Sequence, residues 1–138
     1  MTKYHNEEIV TSLPADHIFV FGGNMAGRHG KGAALTAVRY FGAKYQVSNG
    51  PAGQSYAIPT KDQYIRTLSL NSINENIKLF KFYVMAHPEL TFYLTPIGCG
   101  LAGYQPKDIA PLFYTLKDLN VIFPVSFKPY LDPRIPNG

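Results

Sequence analysis

Two glycine-rich loops and one lysine carry the residue types in this chain that could bind or react with a ligand. The stretch from Gly98 to Gly103 follows an apolar segment and precedes a predicted helix. Glycine lacks a Cβ and can take positive φ close to a ligand, and a helix start supplies unpaired N–H groups that favour anions. The stretch therefore predicts a phosphate or diphosphate site. Its predicted ligand-binding residues are Gly98, Cys99, Gly100, Leu101, Ala102, Gly103 and Tyr104.

A second glycine-rich loop runs from Gly22 to Gly32, where eleven residues contain five glycines. It follows an apolar segment and precedes small residues that favour a helix, so it repeats the order of strand, loop and helix. We predict that it binds the same ligand. Its predicted ligand-binding residues are Gly22, Gly23, Asn24, Gly30, Lys31, Gly32 and Ala33. Arg28 and His29 either meet a phosphate or lie on a flexible surface loop.

Four of the candidate side chains have both a chemical interpretation and a structural one. Lys61 is a candidate nucleophile, a contact to phosphate or ribose, or a solvated lysine at a strand end. Asp62 is either an acid that takes part in catalysis or a residue that only forms a turn. Cys99 is interpreted as a small residue beside a glycine loop rather than a nucleophile or redox thiol. Tyr104 stacks on a ribose or adenine, or packs in the core.

The elements that position these residues follow from the apolar pattern. The predicted strands are residues 17–21, 55–60, a segment beginning at Thr91, and 120–125, and the predicted helices are residues 33–41, 69–87 and 108–116. Ser72 and Glu75 have the spacing of a capping box, and Asp108 is the predicted cap of the third helix. This alternation predicts an α/β domain with a largely parallel sheet, in which ligands bind beyond the carboxyl ends of strands. Both glycine loops, together with Lys61 and Asp62, should therefore converge on one crevice.

The bulk properties fit a single globular domain. A core of about 16–127 is expected, with a proline-rich tail, 128–138, that is extended over the surface or frayed. The net charge of +4 is mild and suits an anionic small ligand as well as RNA. One cysteine, and histidines without ligand spacing, predict no disulfide, metal or cofactor. Without an apolar leader or a span long enough for a bilayer, we expect a cytoplasmic protein with no membrane partner.

Two common nucleotide-binding motifs do not fit the sequence. A dinucleotide-binding fold would place its glycine fingerprint after the first strand and an acid after the next, whereas the Gly-x-Gly-x-x-Gly pattern here follows the third predicted strand. A P-loop needs Gly-Lys followed by Ser or Thr to hold magnesium, but Gly32 and Ala33 follow Lys31.

The combination of motifs resembles the macrodomain family across roughly residues 16–127. The motifs are Gly-Gly-Asn, Gly-Lys-Gly-Ala-Ala, Tyr-Ala-Ile-Pro-Thr-Lys and Thr-Pro-Ile-Gly-Cys-Gly-Leu. They are most similar to the branch that includes a terminal ADP-ribose glutamate hydrolase, and a set of uncharacterised bacterial and phage-associated proteins looks similar too. The resemblance implies a three-layer α/β/α fold with a mixed, largely parallel sheet.

The resemblance also implies a ligand and a set of roles. The ligand would be ADP-ribose, with its diphosphate between the backbone amides of 30–33 and 98–103 and its distal ribose facing Asn24. Lys61 matches the branch's catalytic lysine, but Ala102 stands where the branch has its catalytic aspartate, and Asp62 is the remaining candidate partner. Three alternatives stay open: removal of ADP-ribose from a modified protein or nucleic acid, a non-catalytic reader of ADP-ribose, and an RNA- or nucleotide-binding accessory protein.

Overall fold

The structure, a computed structural model, describes residues 1–133. Its strands are β1 (Lys3–His5), β2 (His17–Asn24), β3 (Gly50–Ala52), β4 (Ser55–Lys61), β5 (Thr91–Leu94) and β6 (Val121–Pro124). Its helices are α1 (Gly32–Tyr40), α2 (Leu70–Ala86), α3 (Pro106–Ile109) and α4 (Lys128–Leu131), with 3₁₀ segments at Ala110–Leu116 and Val125–Phe127. Within this range no helix combines the length and the apolar character needed to cross a membrane.

The six strands form one sheet in the order β1-β6-β5-β2-β4-β3. Every neighbouring pair is parallel except β3 and β4, which are antiparallel. The predicted α/β domain with a mixed, largely parallel sheet is therefore confirmed. Strand β2 lies between β4 and β5, so the chain leaves β4 on one side of β2 and returns on the other. The carboxyl ends of these three strands lie side by side at one edge of the sheet, and α/β sheets bind ligands in the crevice beyond such an edge.

Helices cover both faces of the sheet, because successive strand residues point to opposite sides. Ile18 and Val20 of β2 belong to a large core cluster with residues of α2, α3, α4 and both 3₁₀ segments. Phe19 and Phe21 belong to a smaller cluster with Ala37 of α1. Helix α1 thus forms one outer layer and the other helices form the second.

The structure adds two strands that the sequence pattern did not predict. Strand β1 pairs with β6, with Tyr4 opposite Phe123, and β3 pairs with β4 through a tight turn. Each is three residues long, which is too short for a hydrophobic period to be recognised.

Both capping predictions are wrong by about one helical turn. The hydroxyl of Ser69, not that of Ser72, caps α2, and it accepts the N–H of Ser72 at 3.2 Å. Asp108 lies inside α3 and accepts the N–H of Gln105 at 3.0 Å. The N-cap residue and the residue three positions after it are both commonly polar. A polar residue in the sequence can therefore be either of them, which leaves the predicted helix start uncertain by three positions.

The prediction of an extended or frayed tail is wrong for its first part. Residues 128–131 form α4, with Pro129 in the first turn, where its missing N–H costs no hydrogen bond. Leu131 is fully buried in the large core cluster, so apolar burial stabilises this short helix. The rest of the predicted tail, residues 134–138, lies outside the described residues.

Candidate functional site

A crevice of about 560 Å³ opens at the carboxyl ends of β2, β4 and β5. It is lined by Gly22, Gly23, Asn24, Arg28, Gly30, Lys31, Gly32, Ala33, Ala34, Thr60, Lys61, Ile65, Thr95, Pro96, Ile97, Gly98, Cys99, Gly100, Leu101 and Ala102. Both glycine loops and the end of β4 therefore converge there. Its volume lies within the usual range for small-molecule sites, roughly 300–1,000 Å³.

The first glycine loop is held in place by its own polar side chains. Asn24 Nδ2 donates to the Arg28 carbonyl at 2.7 Å, and its Oδ1 accepts the Arg28 N–H at 3.1 Å. The ring of His29 is fully buried, and its Nε2 lies 2.9 Å from the Lys44 carbonyl and 3.2 Å from that of Val47. His29 thus anchors the loop to the body of the protein, while Arg28 lines the crevice.

Helix α1 presents its N-terminus to the crevice. Gly32 has a φ of 59°, and Gly32, Ala33 and Ala34 all line the space. The N-cap is Lys31, whose side chain accepts no hydrogen bond from the first turn. The first N–H groups of a helix have no partner within it, so these amides are available to an anion.

The second glycine loop is bent around Gly98, which has a φ of 75°. A Cβ at Gly98 would lie 2.9 Å from Cδ1 of Ile109, so the position excludes larger residues. The N–H groups of Cys99, Gly103 and Tyr104 donate within the loop. Within residues 1–133, the amides of Gly100, Leu101 and Ala102 donate to no backbone carbonyl. This loop thus offers a second set of free donors.

The crevice is positively charged. Its charged lining residues are Arg28, Lys31 and Lys61, and no Asp or Glu is found among the lining residues in the described part of the chain. Three cations without a carboxylate raise the local potential and attract anionic ligands.

Lys61 ends β4 and lines the crevice, but Asp62 does not. Asp62 Oδ1 accepts the N–H groups of Tyr64 at 2.8 Å and Arg66 at 2.9 Å, and its Oδ2 accepts Arg66 Nε at 3.2 Å. These contacts lower the pKa of the Asp62 carboxyl, chiefly through the backbone hydrogen bond from Arg66. Asp62 therefore closes its own turn rather than facing Lys61. Across residues 1–133, Lys61 forms no ion pair.

Ile65 also lines the crevice, and its backbone is unusual. Its φ is 64°, in the left-handed region that a β-branched residue rarely adopts. Such a conformation costs about 1–3 kcal/mol and persists only where neighbouring contacts hold it. The Asp62 hydrogen bonds and the bridge between Lys61 and Thr67 provide those contacts.

Cys99 is a half-buried thiol in the second loop. Burial, followed by the negative charges of Asp108 and Glu7, raises its pKa to about 11. The group is therefore protonated at neutral pH and is a poor nucleophile. This agrees with its interpretation as a small residue beside a glycine loop.

Three predicted site residues lie outside the crevice lining: Asp62, Gly103 and Tyr104. The hydroxyl of Tyr104 donates to the Leu68 carbonyl at 2.8 Å, and its ring packs against the large core cluster. Sequence reasoning did not single out Thr60, Thr95 or Ile65. Thr60 and Thr95 could have been predicted from their positions near the ends of β4 and β5, whereas no sequence signal marks Ile65 as a lining residue.

Comparison with known proteins addresses the fold. No protein-family model matches the sequence, and no curated protein matches it. The structure is similar to that of the macrodomain of Mycobacterium tuberculosis DarG, with a TM-score of 0.60. The match covers 90% of this chain and 97% of that chain, at 17% sequence identity.

The chain has the macrodomain fold. The expected three-layer arrangement is thereby confirmed, although a match at 17% identity establishes no residue's role. Within this fold the crevice lies where the sheet order reverses around β2, and both glycine loops and the α1 N-terminus border it.

Proposed function

We propose that this macrodomain binds ADP-ribose, or a closely related nucleotide diphosphate, in the crevice. The observation that carries the proposal is the pairing of two sets of free backbone amides with three cationic side chains and no carboxylate among the described lining residues. A diphosphate has the charge and the acceptor oxygens that such a site would bind. The resemblance of the loop motifs to those of macrodomains supports ADP-ribose as the ligand.

The diphosphate is proposed to lie between the first turn of α1 and the amides of Gly100 to Ala102. The terminal ribose would then extend towards Asn24 and Lys61, which are adjacent in the register of β2 and β4. Because the Asn24 amide is already bonded to Arg28, we assign it the role of shaping the loop. Lys61 is the cation proposed to contact the ribose or phosphate.

The geometry supports binding better than hydrolysis. A lysine that attacks ribose, or an acid that assists it, needs a proton-transfer partner within hydrogen-bond reach. Ala102 has no carboxylate, and Asp62 is bonded to its own turn. We therefore propose a reader of ADP-ribose on a modified protein or nucleic acid, rather than an ADP-ribosyl hydrolase.

Calorimetric titration with ADP-ribose tests binding, with AMP and NAD as comparison ligands at two salt concentrations. The test variant is Gly100→Val, because Gly100 lines the crevice and a Cβ there meets nothing within 4 Å, so the substitution adds bulk at the proposed diphosphate site without a clash at Cβ. The control is Ala52→Val, in β3 and away from the crevice. We expect Gly100→Val to weaken binding at least tenfold and the control to bind normally. Equal binding by both variants would contradict the proposed site.

Turnover is tested separately, with wild type and Lys61→Ala on an ADP-ribosylated protein and an ADP-ribosylated oligonucleotide. A reader releases no ADP-ribose from either substrate. Release that disappears in Lys61→Ala would establish a hydrolase with Lys61 in the mechanism. Binding of unmodified RNA that falls steeply with salt, without preference for ADP-ribose, would favour the nucleic-acid alternative.

A further inference from the structure

We infer that Ile65 determines specificity in the crevice: its side chain covers the terminal ribose and so favours ADP-ribose over ADP. This inference rests on the proposed function. It adds a residue that neither the loop motifs nor the charge pattern indicates. The argument uses its backbone conformation, the anchoring of its loop and its place in the crevice.

The backbone of Ile65 is held in a conformation that its own side chain disfavours. Within residues 1–133, the other non-glycine residues with positive φ are Glu7 and Gln46, neither of which is β-branched or lines the crevice. A glycine or asparagine would adopt this conformation at lower cost. Strained backbone of this kind is concentrated at functional sites, and here it coincides with the candidate site.

Hydrogen bonds within the Asp62–Thr67 loop, and one from this loop to the second glycine loop, fix the position of Ile65. Asp62 binds two backbone amides of the loop, as described above, and the Ile65 N–H donates to the Asp62 carbonyl at 3.1 Å. The hydroxyl of Thr67 donates to the carbonyl of Ala102 at 2.9 Å, which ties this loop to the second glycine loop. Ile65 is therefore a firmly placed part of the crevice wall.

The Ile65 side chain is 40% exposed although it is apolar and firmly held. Leu101, on the second glycine loop, is 67% exposed and also lines the crevice. Among the described residues, these two are the large apolar side chains that line the crevice and are exposed to solvent. A sugar ring has a face of C–H groups, and covering it with an aliphatic side chain removes apolar surface from water.

The chain path indicates which part of the ligand Ile65 covers. Its loop begins at Lys61, which lies beside Asn24 in the sheet, and the Lys61 carbonyl accepts the N–H of Met25 at 2.9 Å. This is the side of the crevice to which the terminal ribose is assigned. The diphosphate is assigned to the amides of α1 and of the second glycine loop, so loss of Ile65 should affect ADP-ribose and spare ADP.

The test compares ADP-ribose and ADP by calorimetric titration of the whole chain. In Ile65→Gly we expect ADP affinity to stay within about twofold and ADP-ribose affinity to fall about tenfold, the usual effect of losing a small apolar contact. The midpoint of thermal unfolding should not fall, because glycine adopts positive φ freely. Ile65→Asn, which also tolerates this conformation, is the second variant.

Gln46→Gly is the matched control, because Gln46 has a φ of 76° and is exposed outside the crevice. It should leave the ratio of the two affinities unchanged. If either Ile65 variant keeps the wild-type ratio, or loses affinity equally for both ligands, the inference is overturned while the binding site stands. If the wild-type protein binds neither ligand, the proposed function fails and the inference fails with it.

Discussion

At the scale of single residues, Cys99 shows how position decides reactivity. The thiol lines an open crevice, yet burial and two nearby carboxylates raise its pKa to about 11. At pH 7 the thiolate fraction is then about one in ten thousand, roughly three hundredfold below that of an ordinary cysteine. We expect iodoacetamide to label Cys99 at least tenfold more slowly than a cysteine peptide, because the greater nucleophilicity of a high-pKa thiolate offsets only part of this deficit.

Mass spectrometry of the labelled protein between pH 7 and pH 10.5 checks this prediction. A raised pKa means that the reactive form keeps increasing throughout the range, so the rate should rise about tenfold per pH unit up to about pH 10. A rate that levels off near pH 8.5 would show an ordinary thiol and contradict the burial argument.

At the scale of elements, the second glycine loop contains two glycines with different constraints. Gly98 has positive φ, and a Cβ there meets Ile109 at 2.9 Å, whereas a Cβ at Gly100 meets nothing within 4 Å. We expect Gly98→Ala to lower the free energy of unfolding by about 1–3 kcal/mol, through backbone strain and crowding. Gly100→Ala should change it by less than about 0.5 kcal/mol.

Urea unfolding of the two alanine variants measures the difference. The substitutions are chemically identical and two residues apart, so they differ only in backbone conformation and neighbours. Equal stabilities would mean that the loop relaxes around Gly98, and its bend could then not be attributed to the requirement for glycine.

At the scale of the whole molecule, the last described helix closes the core. Leu131 is fully buried with Phe113 and Phe127 in the large cluster, although it lies beyond the limit of about residue 127 that the sequence predicts for the core. We expect Leu131→Ala to destabilise the protein by about 2–5 kcal/mol, the usual cost of emptying a buried leucine site. Tyr130→Ala, at a neighbouring side chain that is 41% exposed, is the control and should cost about 1 kcal/mol or less.

Thermal unfolding of both variants decides whether residues 128–131 belong to the cooperative unit. A clear drop for Leu131→Ala alone would show that the core extends to the end of α4. If the midpoint were unchanged, the original prediction of a loosely attached tail would be restored.

The sequence determined the parts of this protein that depend on local pattern. Buried parallel strands need nearly continuous apolar runs, so β2, β4, β5 and β6 were predictable. The two glycine-rich loops were predictable as loops, because clusters of glycine interrupt strands and helices; that they bind a ligand remains a prediction. Since strand ends meet at one edge of a parallel sheet, the two loops were expected to lie close together, and residues of both line one crevice.

Which side chains face the crevice, and which make hydrogen bonds elsewhere, depends on contacts between segments that are distant in sequence. Asp62 directly follows Lys61, and Tyr104 directly follows the second glycine loop. Asp62 nevertheless accepts hydrogen bonds from Tyr64 and Arg66 in its own turn, and Tyr104 donates to the carbonyl of Leu68. The backbone conformation of Ile65 is held by the hydrogen bonds of Asp62, and the hydrogen bond from Thr67 to Ala102 ties this turn to the distant second glycine loop. The edge strand β1 depends on pairing with β6 near Phe123, more than a hundred residues away in sequence. The burial of Leu131 depends on a cluster that includes Phe113, about twenty residues away. Such contacts leave no local period, because they arise only when the chain folds.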